Sequence, residues 1–227
     1  MKEDHTDEAK TLFSGSKINI TTSGRRLLGA AIATQAFITD FVSEKAAEFS
    51  ERLNSLAELA KSQPQAAYAV FTRCLSSEWK FISRVMKDTS SQLDVVKDAI
   101  RRKFLPALTG RQTPGDTERD LLALSVRHRG LGVGNPVKCA DIEYRNSLEM
   151  VAPLTELLVR QQHSLEDACD RVVKERNRQR IERARAAKEA AQALLPRLSM
   201  ETRRAVEMAS ERGASTWLTT SVGALQL

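Results

Sequence analysis

At 227 residues the chain is long enough for one sizeable core or two small ones, and its 41% hydrophobic and 28% charged residues exclude wholesale disorder. Ten glycines, six prolines and 5% aromatic residues argue against an all-β fold and for helices. A net charge of +6 raises nucleic acid as a partner, while three scattered cysteines, Cys74, Cys139 and Cys169, fit reduced intracellular thiols better than a zinc site or disulfide frame.

The N-terminal "MKEDHTDEAK" is charged rather than apolar, so it reads as no signal peptide, and no run approaches the ~20 apolar residues of a membrane span. A soluble, intracellular chain is expected. Residues 2–13 read as a short amphipathic helix. In "KINITTSGRRLLGAAI" the alternation of Ile18, Ile20 and Thr22, a turn at Ser23-Gly24 and the apolar run Leu27 to Ile32 predict a β-hairpin. From Thr34 the period turns helical, with Ile38, Val42, Phe49, Leu53, Leu56 and Ala60 on one side. Ser62-Gln63-Pro64 ends that helix and places Pro64 in the first turn of the next, which carries Tyr68, Phe71, Leu75, Trp79, Ile82 and Met86. Phe71, Leu75, Trp79 and Ile82 are expected to face Phe49, Leu53 and Leu56. A third helix, Leu93 to Leu108, ends at Thr109-Gly110.

After the turn-rich "TGRQTPGDTERD" comes the short helical "TERDLLAL", then "LSVRHRGLGVGNP", Leu124 to Pro136. Here Gly130, Gly132 and Gly134 permit left-handed backbone, and Pro136 opens the next helix. Two readings stay open: a joint between helices, or an anion nest in which Arg127, His128 and Arg129 surround free glycine amides. Beyond Pro136, "VKCADIEYRNSLEMV" and "PLTELLVRQQ" read as two helices separated by Pro153. Ser164, followed by Glu166 and Asp167, resembles the capped start of a long helix that runs to about Leu195 and stops at Pro196. "METRRAVEMASERGAS" adds a last short helix. The expected fold is mostly α: a bundle-like helical array, one small β-hairpin near the N-terminus, and a long basic helix toward the C-terminus.

That basic helix holds the charge surplus. Arg171 to Lys188 contains eight basic and two acidic residues, a surplus equal to the net charge of the whole chain. At 100° per residue Arg171, Lys174, Arg178, Arg185 and Lys188 share one side, and Val173, Ala184, Ala187, Ala191 and Leu195 another. A solvated face and a phosphate-tracking face both fit. No aromatic residue interleaves from Arg171 to Ser199, so any nucleic-acid contact there is to backbone and sensitive to salt. Signatures of chemistry are absent: no G-x-S-x-G, no Walker A, no H-E-x-x-H, no Asp-Asp, and three histidines far from one another and from the cysteines. No metal, cofactor or catalytic residue is expected.

Four segments, in order, resemble the part of retroelement reverse transcriptases that follows the catalytic palm. "LSVRHRGLGVGNP" looks like their L-P-x-R-x-G-G-L-G-I-x-x-P segment. "INITTSGRRLLGAAI" is similar to the primer-grip hairpin, "SQPQAAYAVFTRCLSSEWKFISR" and "DAIRRKFLPALTGRQTP" resemble the thumb-side helices, and "ASERGASTWLTT" resembles a later motif. The resemblance spans roughly Ala9 to Thr220 and implies residues 1–33 as a palm end with hairpin, 34–123 as a thumb-like unit, 124–136 as a joint and 137–227 as a C-terminal helical region. It implies RNA or DNA backbone as partner, with Arg25 and Arg26 beside the hairpin as contacts alongside Arg127, Arg129 and the basic helix. For Arg25 and Arg26, exposed turn flanks are the competing reading. Ser125 stands where the family has Pro and Arg129 where it has the first Gly; arginine tolerates positive φ poorly, which predicts a relaxed turn. The family's paired aspartates precede the hairpin, so the expectation is a truncated, non-catalytic fragment. The other function class is an autonomous helical interaction module whose basic helix packs on a partner.

Overall fold

In the computed structural model, residues 5–161 and 165–209 are described. A short helix α1 (Thr6–Leu12) buries nothing. Strands β1 (Gly24–Leu27) and β2 (Ala30–Ala33) form one antiparallel hairpin in which Gly24 faces Ala33 and Leu27 faces Ala30. The hairpin exists where the sequence indicates, but its turn is Leu28-Gly29 rather than Ser23-Gly24. Both turn residues have positive φ, 50° and 84°, the backbone of a two-residue turn that matches strand twist. Glycine supplies one such position freely; Leu28 is forced into the other, and that is why the sequence conceals the turn. Ile18, Ile20 and Thr22 alternate but pair with no strand.

The main core is built on α2 (Gln35–Ser62), whose buried face is Phe41, Val42, Ala46, Phe49, Leu53, Leu56 and Ala60. Pro64 opens α3 (Pro64–Val70), which continues through a π-helical turn, Phe71–Leu75, into α4 (Ser76–Val85). The next long helix has the same design: α5 (Asp94–Ala99), a π-helical turn at Ile100–Phe104, and α6 (Leu105–Thr109), closed by left-handed Gly110 at φ 67°. The two widened turns meet, with the Phe71 and Phe104 rings stacked at 4.7 Å. Trp79 lies against Phe49 edge-on at 6.3 Å and against Phe71 at 5.6 Å, so the expected apposition of the first two long helices is present. A π turn adds a residue without completing an α turn, so the inward face shifts along the sequence. Ser76 and Ser83 consequently turn inward, and their hydroxyls donate to the Thr72 and Trp79 carbonyls at 3.1 and 2.9 Å.

Helix α7 (Asp116–Ala123) and a 3₁₀ turn at Val126–His128 lead through the glycine loop to α8 (Pro136–Val159). The loop is not a surface strap: Val133 is fully buried in the main core. The Asn135 side chain caps α8, accepting from the amides of Val137 and Lys138. Pro153 was expected to split this helix, yet α8 passes through it unbroken. The proline ring is buried, and the acids on either side, Glu149 and Glu156, are tied to Arg178 and Arg171 of α9 (Leu165–Leu194), so both halves are docked on one neighbouring helix. Ser164 lies outside the described residues, as does His163. Helix α9 ends in a 3₁₀ turn at Leu195–Arg197, and α10 (Met200–Met208) follows, with Ser199 capping it through the Thr202 amide. Leu121, Leu194, Leu198 and Val206 make a second, smaller core at that end. "TWLTT" also lies outside the described residues.

Candidate nucleic-acid interface

The glycine loop resolves toward the joint. Every backbone amide from His128 to Gly134 donates to a backbone carbonyl: His128 and Gly130 to Ser125, Arg129 to Val126, Leu131 and Val133 to Leu122, Gly132 to Leu124, and Gly134 to Gly132. An anion nest needs those N–H groups free, and they are spent on carbonyls of the loop and of α7. The Tyr68 hydroxyl donates to the Leu131 carbonyl at 2.6 Å. Arg119 of α7, which the sequence reading passed over, is 5% exposed and donates its guanidinium to the Val133 carbonyl at 2.7 Å and the Gly134 carbonyl at 3.0 Å. Burial holds its guanidinium below the usual arginine range. Nothing in the spacing of "TERDLLAL" distinguishes it from a surface arginine.

The expected relaxation at Arg129 does not occur, because Arg129 keeps a left-handed φ of 70°. Of the three glycines only Gly132 is left-handed. Gly130 is required for another reason: a Cβ there would lie 2.1 Å from the Leu124 carbonyl oxygen and 2.4 Å from that of Leu121. Closing the loop on α7 demands both a bare Gly130 and a strained residue before it. Arg127, His128 and Arg129 line a small cleft of about 130 Å³ together with Leu194 and Leu198.

At the hairpin Arg25 and Arg26 part company. Arg26 is bound to the Glu44 carboxylate and lies 4.9 Å over the Phe41 ring, so it staples the hairpin to α2. Arg25, opposite Ile32 in register, is exposed.

Helix α9 sorts its cations by angle. Arg171 reaches Glu156 at 3.0 Å, and Arg178 reaches Glu149 at 2.8 Å, Glu175 at 2.6 Å and Glu182 at 2.8 Å. Arg185 pairs with Glu189 at 2.7 Å. The Arg178 hydrogen bonds, with a further one from Gln179, hold the Glu175 carboxyl below its ordinary value. Three of the five cations predicted for a phosphate-tracking face are therefore engaged with acids, two of them in binding α9 to α8. Of those five, Lys174 and Lys188 have no ion pair among the described residues. The predicted apolar face is displaced as well: Val173 is 55% exposed, while Ala168, Gln179 and Leu194 are buried. The packing face is centred on a glutamine whose amide donates to the Asn146 carbonyl at 2.9 Å, and a polar residue at the seam's centre hides the seam from a hydrophobic period. Reversing Arg171 and Arg178 to Glu would set carboxylates against Glu156 and Glu149, so that change touches the fold.

On the opposite flank of the seam, α4, α8 and α9 wall a groove of about 500 Å³. Arg84, Arg176, Arg180 and Arg183 line it around a single carboxylate, Glu143. Glu143 accepts from Arg84 at 2.8 Å and from Arg183 at 3.5 Å. Arg176 and Arg180 have no ion pair among the described residues. The sequence showed Arg176, Arg180 and Arg183 within the charge count but not the groove, since Arg84 lies some ninety positions away.

Among the described residues no cluster of three or more His, Cys, Asp or Glu side chains is placed to hold a metal ion, and no helix is long and apolar enough to cross a membrane. No family model, curated protein or solved structure matches the chain.

Proposed function

We propose that the chain is a non-catalytic helical module that contacts nucleic-acid backbone, corresponding to the region after the palm of a retroelement-type RNA-directed DNA polymerase. The observation that carries this reading is the placement of the charge surplus: α9 bears eight basic and two acidic residues between Arg171 and Lys188, and nearly all of these side chains face solvent. A charge excess concentrated on one exposed helix attracts polyphosphate by releasing its counterions. Four segments in the order of the polymerase family support the wider assignment, together with a hairpin whose Leu27, Leu28 and Ile32 project from the fold at 52%, 90% and 68% exposure. The test has two arms. Purified protein should bind a labelled single-stranded oligonucleotide with log Kd rising steeply in log salt, and should extend no primer with Mg²⁺ or Mn²⁺. Salt-insensitive binding overturns the backbone reading; genomic sequence immediately upstream that encodes no aromatic-x-Asp-Asp turn overturns the polymerase origin.

A second reading, an autonomous protein-interaction module, has its own observation: Val173 and Ile181 stand 55% and 66% exposed on the outer side of α9. A protein partner there would bind with little dependence on salt.

A further inference from the structure

We propose that the phosphate-binding surface is the groove between α4, α8 and α9, with Arg84, Arg176, Arg180 and Arg183 as its cationic lining, and not the outer side of α9 that carries Lys174 and Lys188. This deepens the backbone-binding reading and rests on it. Arg176, Arg180 and Arg183 project from successive turns over about 10 Å of helix axis, which spans three to four phosphates at the ~3.4 Å spacing of stacked nucleotides. Arg84 enters from the facing helix, so a strand in the groove meets guanidinium groups on two walls. Planar, forked donors suit phosphate oxygens better than the ammonium groups of the outer side. Four cations against one carboxylate leave a local excess of three, and Glu143 is already occupied by Arg84 and Arg183.

The floor is built rather than incidental. Gln179, 4% exposed, donates to the Asn146 carbonyl and to Glu175, which fixes the spacing of α9 against α8 beneath the arginines. None of the lining residues is aromatic, so the groove grips the strand without stacking bases and reads no sequence.

Two variants of equal charge test this. R176Q/R180Q and K174Q/K188Q each remove two positive charges from one helix, and none of the four residues sits in an ion pair among those described. Binding of fluorescent oligo(rU) and oligo(dT) is measured across a salt series. For R176Q/R180Q the expected result is a loss of about tenfold at low salt, with the log–log salt slope flattened by about 1.4, 0.7 for each lost single-strand contact. K174Q/K188Q should stay within about twofold of the parent, as expected of distant, screened charges. The rU and dT arms tell an RNA strand from a DNA strand at the same site. Equal losses for the two variants overturn the groove while leaving backbone binding intact; a parent that binds neither oligonucleotide overturns both. If R176Q/R180Q melts early, arginine-selective dicarbonyl footprinting of the parent decides instead. Protection of Arg176 and Arg180 by oligonucleotide supports the groove, and modification unchanged by oligonucleotide overturns it.

Discussion

Arg119→Met is the sharpest test of how the glycine loop is held. The substitution keeps an unbranched stem of similar reach and removes both donors to the loop. The Val133 carbonyl belongs to a residue with no exposure at all, while Gly134 is half-buried, so water can replace the second bond in part but not the first. Hydrogen bonds from a charged donor contribute about 1.5–3 kcal/mol each; one at full value and one at reduced value give a loss of about 3 kcal/mol. In a chain of this size that lowers Tm by roughly 6–12 °C, read by circular dichroism. Arg119→Lys separates charge from geometry. An ammonium keeps the charge but lacks the fork that spans two adjacent carbonyls, so it should fall between the parent and Arg119→Met. An Arg119→Met protein that melts with the parent would refute the clamp, because it would show that both carbonyls lose their donor at no cost.

In the main core, Trp79→Ala removes a ring packed on Phe49 and Phe71 and should cost about 3–5 kcal/mol by urea denaturation. Within the loop, two changes of opposite sign are expected from adjacent positions: Gly130→Ala drives a Cβ into two carbonyl oxygens and costs about 1–3 kcal/mol, whereas Arg129→Gly relieves a left-handed arginine and gains up to about 1 kcal/mol. The pair is read from urea midpoints measured side by side. For pH, the Glu175 carboxyl titrates lower in the fold than its ordinary 4.5, so its contribution is complete above that value and fades as pH falls through the folded value. The Tm of the parent and of Glu175→Gln should therefore differ at neutral pH and converge in acid; a constant gap would contradict the linkage.

Where side chains declare themselves by hydrophobic period, the sequence was enough. The stripe through Phe49, Leu53 and Leu56, the break at Pro64 and the Gly110 stop all reappear in place. What stayed hidden has a common physical character: it depends on partners far along the chain. Pro153 reads as a breaker because local propensity cannot register Arg171 and Arg178 holding its flanks. The seam of α9 is invisible because Gln179 occupies its centre, and Arg119 looks like any other helix arginine until the loop closes over it. The same holds for the candidate interface. Charge counting located the helix, but which of its arginines are engaged, as Arg171, Arg178 and Arg183 are, and which stay unpaired, as Arg176 and Arg180 do, is set largely by which acids α8 presents.

The paired π-helical turns carry an evolutionary consequence. Each is a one-residue surplus lodged within a helix, so deleting a single residue from Phe71–Leu75 would restore plain α geometry and leave the angular placement of everything after it nearly unchanged, whereas a deletion in a plain α turn would swing it through about 100°. Loss of a residue within the widened turn would therefore keep Trp79 on the side of Phe49, while the same loss within α4 ahead of Trp79 would turn it away. Phe71 stacks on Phe104 of the other widened turn, so the two surpluses meet at one point of the core. A one-residue length change is thus absorbed in these two five-residue windows and not in the plain α turns around them, and in any set of related chains the windows are where the helices should gain or lose a residue.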